Sequence, residues 1–529
     1  MNSNPSLATL PVAVIGAGTV GLAAAAHLHE RGFDFVLFES GPAVGAAMRE
    51  WAHVQLFSPW EYNVDPAAER LLRAAGWVAP EADTYPTGGE IVARYLEPLS
   101  ALPAIASRLK VNARVTGISR QGRDKMKSDA ERQNAPFRIR FETPEGEEEI
   151  LARAVIDTAG TWRMPNPLGS EGMPARGERS LQPAIRYGIP DVLGQERARY
   201  AGRRVLVAGS GHSACNALVD LVQLSTDEPA TEITWVVRRD RIGKIFGGGA
   251  RDKLAARGAL GSAVRRLVEA GRLQVVLSFQ AEAVERRADG IYVRSGEKVA
   301  GPVDEIIVAT GFRPDFSYLR ELQVGLDPIV ESTPALASMI DPNLHSCGTV
   351  RPHGHAELAH PESGFYIAGM KSYGRAPTFL MRTGYEQVRS IVAALAGDMA
   401  AADRVELVLP ETGVCSLRRE PEEEAGCCGG APKSDASACC RKDEEAKTAG
   451  EEGCGCSSAV EEKEPALACA SAREEEGNGC RGGWHGELPW ARSWRGAFSI
   501  TPSLPWQDRC RAAPAGRGRS STAACHLGC

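Results

Sequence analysis

Cysteine is nearly missing from most of this 529-residue chain: of 14 cysteines, only Cys215 and Cys347 precede position 415. A secreted scaffold held by disulfides would spread its bridges through the fold, so that class is excluded and the body reads as cytoplasmic. No two cysteines stand three positions apart, so a Cys-x-x-Cys dithiol is missing as well. An excess of positive charge is lacking too. With 61 Lys plus Arg against 67 Asp plus Glu, the formal net charge is −6, which gives no overall attraction to nucleic acid or to an anionic membrane.

Charged side chains are missing from Met1 through Ala26, and Leu10 to Ala26 is apolar enough to resemble a signal or membrane segment. Neither reading holds. A signal peptide carries basic residues ahead of its apolar stretch, whereas the first arginine is Arg31. A spanning helix would not carry Pro11 and the closely spaced glycines at 16, 18 and 21. A buried βα unit is expected instead, in a chain whose 43% hydrophobic and 24% charged residues are those of a soluble enzyme. The length leaves room for about three structural units.

What is present is a repeated pattern. Leu10 to Ile15 predicts a buried strand, Val20 to Arg31 a helix, and Phe33 to Phe38 the next strand. The pattern returns from Arg203, with a strand at Val205 to Ala208, a helix from about Ser213 to Leu224 and a strand at Ile233 to Val237. Further strands are expected at Ala154 to Thr158 and Glu305 to Ala309, and Glu131 to Ile150 reads as a polar hairpin.

Between the first strand and helix lies Gly16-Ala17-Gly18-Thr19-Val20-Gly21, and Glu39 follows at the end of the next strand. This is a dinucleotide fingerprint in its required setting. Gly16 permits the tight turn, Gly18 lets the backbone approach a pyrophosphate, and Gly21 lets the helix lie close on the strand. Glu39 is expected to accept a hydrogen bond from a ribose hydroxyl.

Gly209-Ser210-Gly211-His212-Ser213-Ala214 is a second such turn, but its next strand ends in Arg238-Arg239 where an NAD site places an acid. Guanidinium groups favour a 2′-phosphate, hence NADPH. Asp157-Thr158-Ala159-Gly160-Thr161-Trp162 and Val308-Ala309-Thr310-Gly311-Phe312-Arg313-Pro314 read as crossovers between two dinucleotide folds. Gly364-Phe365-Tyr366-Ile367-Ala368-Gly369-Met370 closes the first. The expected fold class is α/β, with two Rossmann-type domains and the second inserted in the first. The expected boundaries are residues 1–164 and 311–400 for the first domain, 165–310 for the second, and a disordered tail over 401–529.

These residues resemble the flavin-containing monooxygenases, and most closely the flavin-binding monooxygenases of bacterial arsenic-resistance operons. The likeness is carried by Tyr187-Gly188-Ile189-Pro190-Asp191, by Gly211-His212-Ser213-Ala214, by the run from Gly369 to Pro377, and by a cysteine-paired C-terminus. It covers about residues 8 to 400. The resemblance implies FAD at the first glycine turn and NADPH at the second. It also implies a monooxygenase that uses O2 on a soft small-molecule substrate, linked to arsenic resistance, with a homodimer as one assembly.

There are departures. The Phe-x-Gly-x-x-x-His signature of the general family is missing, since no histidine occurs between His53 and His212, and Met370 stands where many two-domain flavoproteins place an aspartate. No catalytic side chain can be named. The alternatives are an FAD-dependent oxidase or reductase that inserts no oxygen, and a metalloid-binding or sensing protein on a flavin-fold scaffold.

Trp51, His53, Gln55, Ser58 and Trp60 are candidates to approach the flavin ring, although the aromatic residues fit a core equally well. Cys347, His353, His355 and His360 either gather around a metal or belong to a Pro- and Gly-rich surface loop whose histidines are solvated or line the flavin edge. Beyond Cys415 the pattern changes. Cys427-Cys428, Cys439-Cys440 and Cys454-Gly455-Cys456 are close thiol pairs in an acidic stretch without helical or strand period. Soft trivalent arsenic or copper(I) prefers two or three such thiolates. From Gly482 the composition turns to Trp, Arg, Gly, Pro and Ser, which argues against a packed domain there.

Overall fold

The structure, a computed structural model, describes residues 7–243, 246, 255–344, 350–376 and 379–407. All of them belong to one compact unit, Met1–Gly453. The cysteine pairs of the tail and Cys347 lie outside the described residues.

Two five-stranded sheets carry the fold. In the first, β1 (Val12–Ile15), β2 (Phe35–Phe38), β3 (Leu109–Lys110), β7 (Ala154–Asp157) and β16 (Phe365–Ile367) run parallel in the order β16-β7-β1-β2-β3. In the second, β8 (Ile185–Tyr187), β9 (Arg204–Ala208), β10 (Glu232–Val236), β11 (Gln274–Val276) and β15 (Glu305–Val308) run parallel in the order β11-β10-β9-β15-β8. Every strand of the second sheet lies between β7 and β16 in sequence. The second lobe is therefore inserted in the first, and the chain crosses between them twice. This is the expected mixed α/β fold with parallel sheets.

The central strands β1 and β7 are buried along their whole length and are apolar except for Asp157 at the end of β7, as a parallel sheet covered on both faces requires. Helix α1 (Thr19–Glu30) covers one face. Its Ala23–Ala26 run lets the backbone lie close, and every residue from Thr19 to Leu28 is buried. The other face is covered by an antiparallel meander of β4 (Arg114–Arg120), β5 (Phe137–Thr143) and β6 (Gly146–Ala152). There Phe137, Ile139 and Phe141 pack on Ala13, Ile15 and Phe38. A matching meander, β12 (Ala283–Arg287), β13 (Gly290–Ser295) and β14 (Lys298–Val303), packs on the second sheet.

The segment expected as a polar hairpin is thus a half-buried one. Outward Arg138, Arg140 and Glu142 alternate with fully buried Phe137, Ile139 and Phe141, and the charged positions dominate the average. A helical turn at Ala130–Gln133 precedes it. The regular pattern also runs slightly past residue 400, because Met399–Asp403 forms a short helix whose first turn is capped by the Asp398 carboxylate. Among the described residues no helix is long and apolar enough to cross a membrane.

Candidate functional site: two glycine turns and the junction between them

At the first turn Gly16 adopts φ 94°, and a Cβ there would stand 2.9 Å from the Thr158 oxygen. A Cβ on Gly21 would fall 1.8 Å from the Gly16 oxygen. These two glycines serve the close packing of β1, α1 and β7. Gly18 is different. Nothing lies within 4 Å of its Cβ position, and it caps α1 without any side-chain hydrogen bond. The helix therefore offers free backbone N–H groups and its positive end to an anion. Glu39 directly follows β2, buried, and its carboxylate accepts N–H bonds from Ala17 at 3.1 Å and Gly41 at 2.8 Å.

The first sheet is tied together at this end by polar groups. The Thr158 hydroxyl donates to the Ile15 oxygen at 2.8 Å. The Lys371 ammonium, fully buried, donates to Asp157 at 2.6 Å and to the Tyr318 hydroxyl at 2.6 Å, while that hydroxyl donates to the same Asp157 oxygen at 2.7 Å. The triangle joins the end of β7, the segment after the second crossover and the turn after β16. Lys371 and Tyr318 escaped the sequence reading. The available signal was a lysine directly after the apolar closing run Gly364–Met370.

At the second turn Gly209 has φ 132° and its Cβ would meet the Ala309 oxygen at 2.3 Å. Its carbonyl accepts from the Trp235 indole at 2.7 Å. Gly211, like Gly18, has open space around its Cβ position and caps the following helix α2 (His212–Asp227) without a side chain. Ser213 lies in the first turn of α2. Arg238 and Arg239 stand exposed beyond the end of β10, and Arg238 donates to the Ser170 oxygen at 3.2 Å.

The crossovers run side by side. Pro165 bridges to Phe312 in antiparallel fashion, and the Thr310 hydroxyl donates to the Asn166 oxygen at 3.0 Å. Gly160 and Gly311, with φ 68° and 91°, supply the turns. Over them Trp162 stacks on Phe312 at 4.5 Å, with Trp51 6.4 Å from Trp162. Phe57 meets His212 at 4.9 Å, so the loop of residues 51–60 reaches the second turn. In that loop His53 has a buried Nε2 without a partner, whereas Trp60 belongs to the core.

The histidines of the candidate metal cluster bond apart from one another. His353 contacts the Arg351 oxygen, His355 pairs with Asp403 at 2.8 Å, and His360 contacts the Gly325 oxygen. His353 and His360 are buried, so the solvated-loop reading fails for them too. Among the described residues no group of three or more His, Cys, Asp or Glu is gathered for a metal. The one described cysteine, Cys215, is buried on α2, and burial pushes its thiol up to about 11; it is a core residue and a poor nucleophile.

Two parallel sheets, each with a glycine turn opening into a helix and joined by paired crossovers, define a flavin-dependent oxidoreductase that works with a pyridine nucleotide. The family comparison agrees. Residues 13–348 match the pyridine nucleotide-disulphide oxidoreductase model, and the chain belongs to that family. No curated protein sequence matches it.

Among solved structures, the bacillithiol disulfide reductase Bdr (YpdA) of Bacillus cereus is 19% identical, with a TM-score of 0.53 over 73% of this chain and 99% of that one. Its counterpart from Staphylococcus aureus is 15% identical, with a TM-score of 0.52 over 75% and 99%. DfoA of Erwinia amylovora, a cadaverine monooxygenase bound to FAD, is 13% identical, with a TM-score of 0.51 over 76% and 98%. At such identities the likeness is one of fold. Reductases and a monooxygenase share it, and the choice between them falls to the residues of this chain.

Proposed function

We propose that this protein is an NADPH-dependent FAD monooxygenase that inserts one atom of O2 into a soft small-molecule substrate, in service of arsenic resistance. The observation that carries the reading is a complete pair of glycine turns beside a junction without a dithiol: the one described cysteine is the inert Cys215. Among the described residues no protein disulfide stands ready to take the electrons, which favours O2 over a protein dithiol as their acceptor. The arsenic link rests on the likeness of the motifs and on the thiol pairs of the tail.

FAD fits the first turn, where the uncapped helix end at Gly18 is open and Gly16 and Gly21 keep side chains out of the packing around it. When bound, it supplies the redox chemistry: two electrons from NADPH reduce O2, one oxygen atom goes to the substrate and the other leaves as water. Glu39 holds the Ala17 amide in place and presents its remaining acceptor positions to the ribose. Gly369 and Met370 flank the flavin from the closing segment. The second turn takes the NADPH pyrophosphate at Gly211 and Ser213, with Arg238 and Arg239 on the 2′-phosphate. Trp51, Trp162 and Phe312 shield the junction from water.

Oxygen and peroxide measured during NADPH turnover, with and without trivalent arsenicals, test this. The expected result is oxygen uptake stimulated by the arsenical, with little peroxide and an oxygenated product. Peroxide formed mole for mole with NADPH under every condition would make the protein an oxidase. The tail is assigned to metalloid capture at Cys427, Cys428, Cys439, Cys440, Cys454 and Cys456. Truncation before Cys415 should keep FAD and its reduction by NADPH while removing the thiols that arsenite protects from alkylation.

A further inference from the structure

The closing segment Gly369–Tyr373 is a short 3-10 turn in which Gly369, Lys371, Ser372 and Tyr373 are buried and Met370 alone is partly exposed. Gly369 has φ 73°, and a Cβ there would lie 3.3 Å from Val20 of the fingerprint helix. Lys371 anchors one side of the turn to Asp157 and Tyr318. The other side is held by Gln387 of helix α3 (Met381–Leu395), which has no exposed surface.

The bonds around Gln387 admit one solution. The Gly369 N–H can only donate, so the Gln387 Oε1 at 2.7 Å accepts from it and the Nε2 amide group faces the other way. The Ser372 hydroxyl spends its proton on the Gly369 oxygen at 2.8 Å, so it accepts from Nε2 at 3.0 Å. The second Nε2 hydrogen points at His353 Nε2, 2.9 Å away, which must then be unprotonated. His353 Nδ1 carries the proton and donates to the Arg351 oxygen at 3.0 Å. Each donor has an acceptor, as a buried network requires.

We infer that Gln387, oriented by neutral His353, is a positioning residue for the flavin: it fixes the Gly369–Met370 backbone against the cofactor without touching the cofactor itself. This rests on the reading that FAD occupies the first lobe. A residue that served packing alone would need no unique amide orientation, and this one is specified by three groups at once. The surroundings of His353 are the Tyr373 ring at 5.6 Å, Glu357, Arg351 and Glu386. Burial lowers its pKa, which agrees with the neutral tautomer the bonds demand.

Two variants test the inference in the full-length protein with FAD added. Gln387→Leu leaves the Gly369 N–H unsatisfied, so FAD should dissociate roughly tenfold to a hundredfold more readily. The KM for NADPH should stay unchanged and the visible flavin bands should shift. Gln387→Glu keeps the acceptor for Gly369 but sets a carboxylate against the lone pair of His353 Nε2, and the clash is relieved when His353 is protonated.

The pH dependence of FAD retention should therefore reverse. The wild type loosens FAD on acidification, as a proton on Nε2 meets the amide N–H, whereas the Glu variant tightens it. If Gln387→Leu fails to fold, the Glu variant carries the test alone. Wild-type affinity and spectrum in Gln387→Leu, or an unreversed profile in Gln387→Glu, overturns the inference. A wild type that retains no FAD refutes the first-lobe reading instead, so the two failures are distinct.

Discussion

The two glycine turns follow one strand, turn and helix plan and differ in how much of the chain closes around them. The first sits on a helix buried through Leu28, beside a buried Glu39 and under the Asp157, Lys371 and Tyr318 triangle. At the second, Gly211, His212, Arg238 and Arg239 are exposed, and only part of α2 is buried. Under the proposed function this separates a cofactor that stays from one that arrives, delivers electrons and leaves. A resident group gains from a rigid, enclosed cradle, whereas a visiting one needs an open face and recognition by charge.

The sharpest way to break the comparison is to exchange the roles of two glycines in the first turn. Gly21→Ala places a methyl group 1.8 Å from the Gly16 oxygen, so the fold itself should fail and the protein should be recovered aggregated. A Cβ at Gly18 meets nothing within 4 Å, so Gly18→Trp should fold with normal circular dichroism, yet hold no flavin. A soluble Gly18→Trp protein with a full complement of FAD would remove the first turn from the site.

A smaller effect is expected at the second turn, where recognition rests on exposed charge. A charge-assisted hydrogen bond contributes roughly 1.5 to 3 kcal/mol, so Arg238→Ala with Arg239→Ala should weaken NADPH about tenfold to a hundredfold. NADH should be nearly untouched and FAD content unchanged. Steady-state KM values for both nucleotides decide this. Equal use of NADH and NADPH by the wild type would refute the 2′-phosphate role.

Much of this architecture was legible because glycine and charge have few alternative uses at a strand end. Gly16, Gly18, Gly21 and Glu39 declare the first turn, and the missing acid at Arg238 distinguishes the second. The observed elements α1 and α2 depart from the expected ones by a residue at the start and up to three at the end, as fraying helix ends allow. What stayed hidden depends on three-dimensional partners. Lys371, Tyr318 and Gln387 matter through bonds to residues far away in sequence, and no local period marks them; His353 stood out as a histidine, but its bond to Gln387 did not. The β5 strand escaped as a buried element because its charged outward face masked the alternation.

The smallest effect expected tells the lobes apart by pH. In the second lobe, burial and then the charge of nearby Asp191 push Asp220 up to about 6 from 3.8. Its folded pKa lies above the unfolded one, so its stabilising share is complete below about 4 and is lost as pH rises through about 6. In the first lobe, burial pulls His360 down to about 4 from 6.5, and its Nε2 lies buried without a partner. Its folded pKa lies below the unfolded one, so its share is present above about 6.5 and is lost as pH falls through about 4. Each contributes about 2 kcal/mol across its window after allowance for solvent. Asp220→Asn should therefore raise the denaturant midpoint at pH 7 and leave it unchanged near pH 4. His360→Phe should do the reverse, protecting the protein from acid with little effect at pH 7. Denaturant titrations of both variants between pH 4 and 7 check this, and parallel slopes in the two proteins would show that the lobes do not differ in this respect.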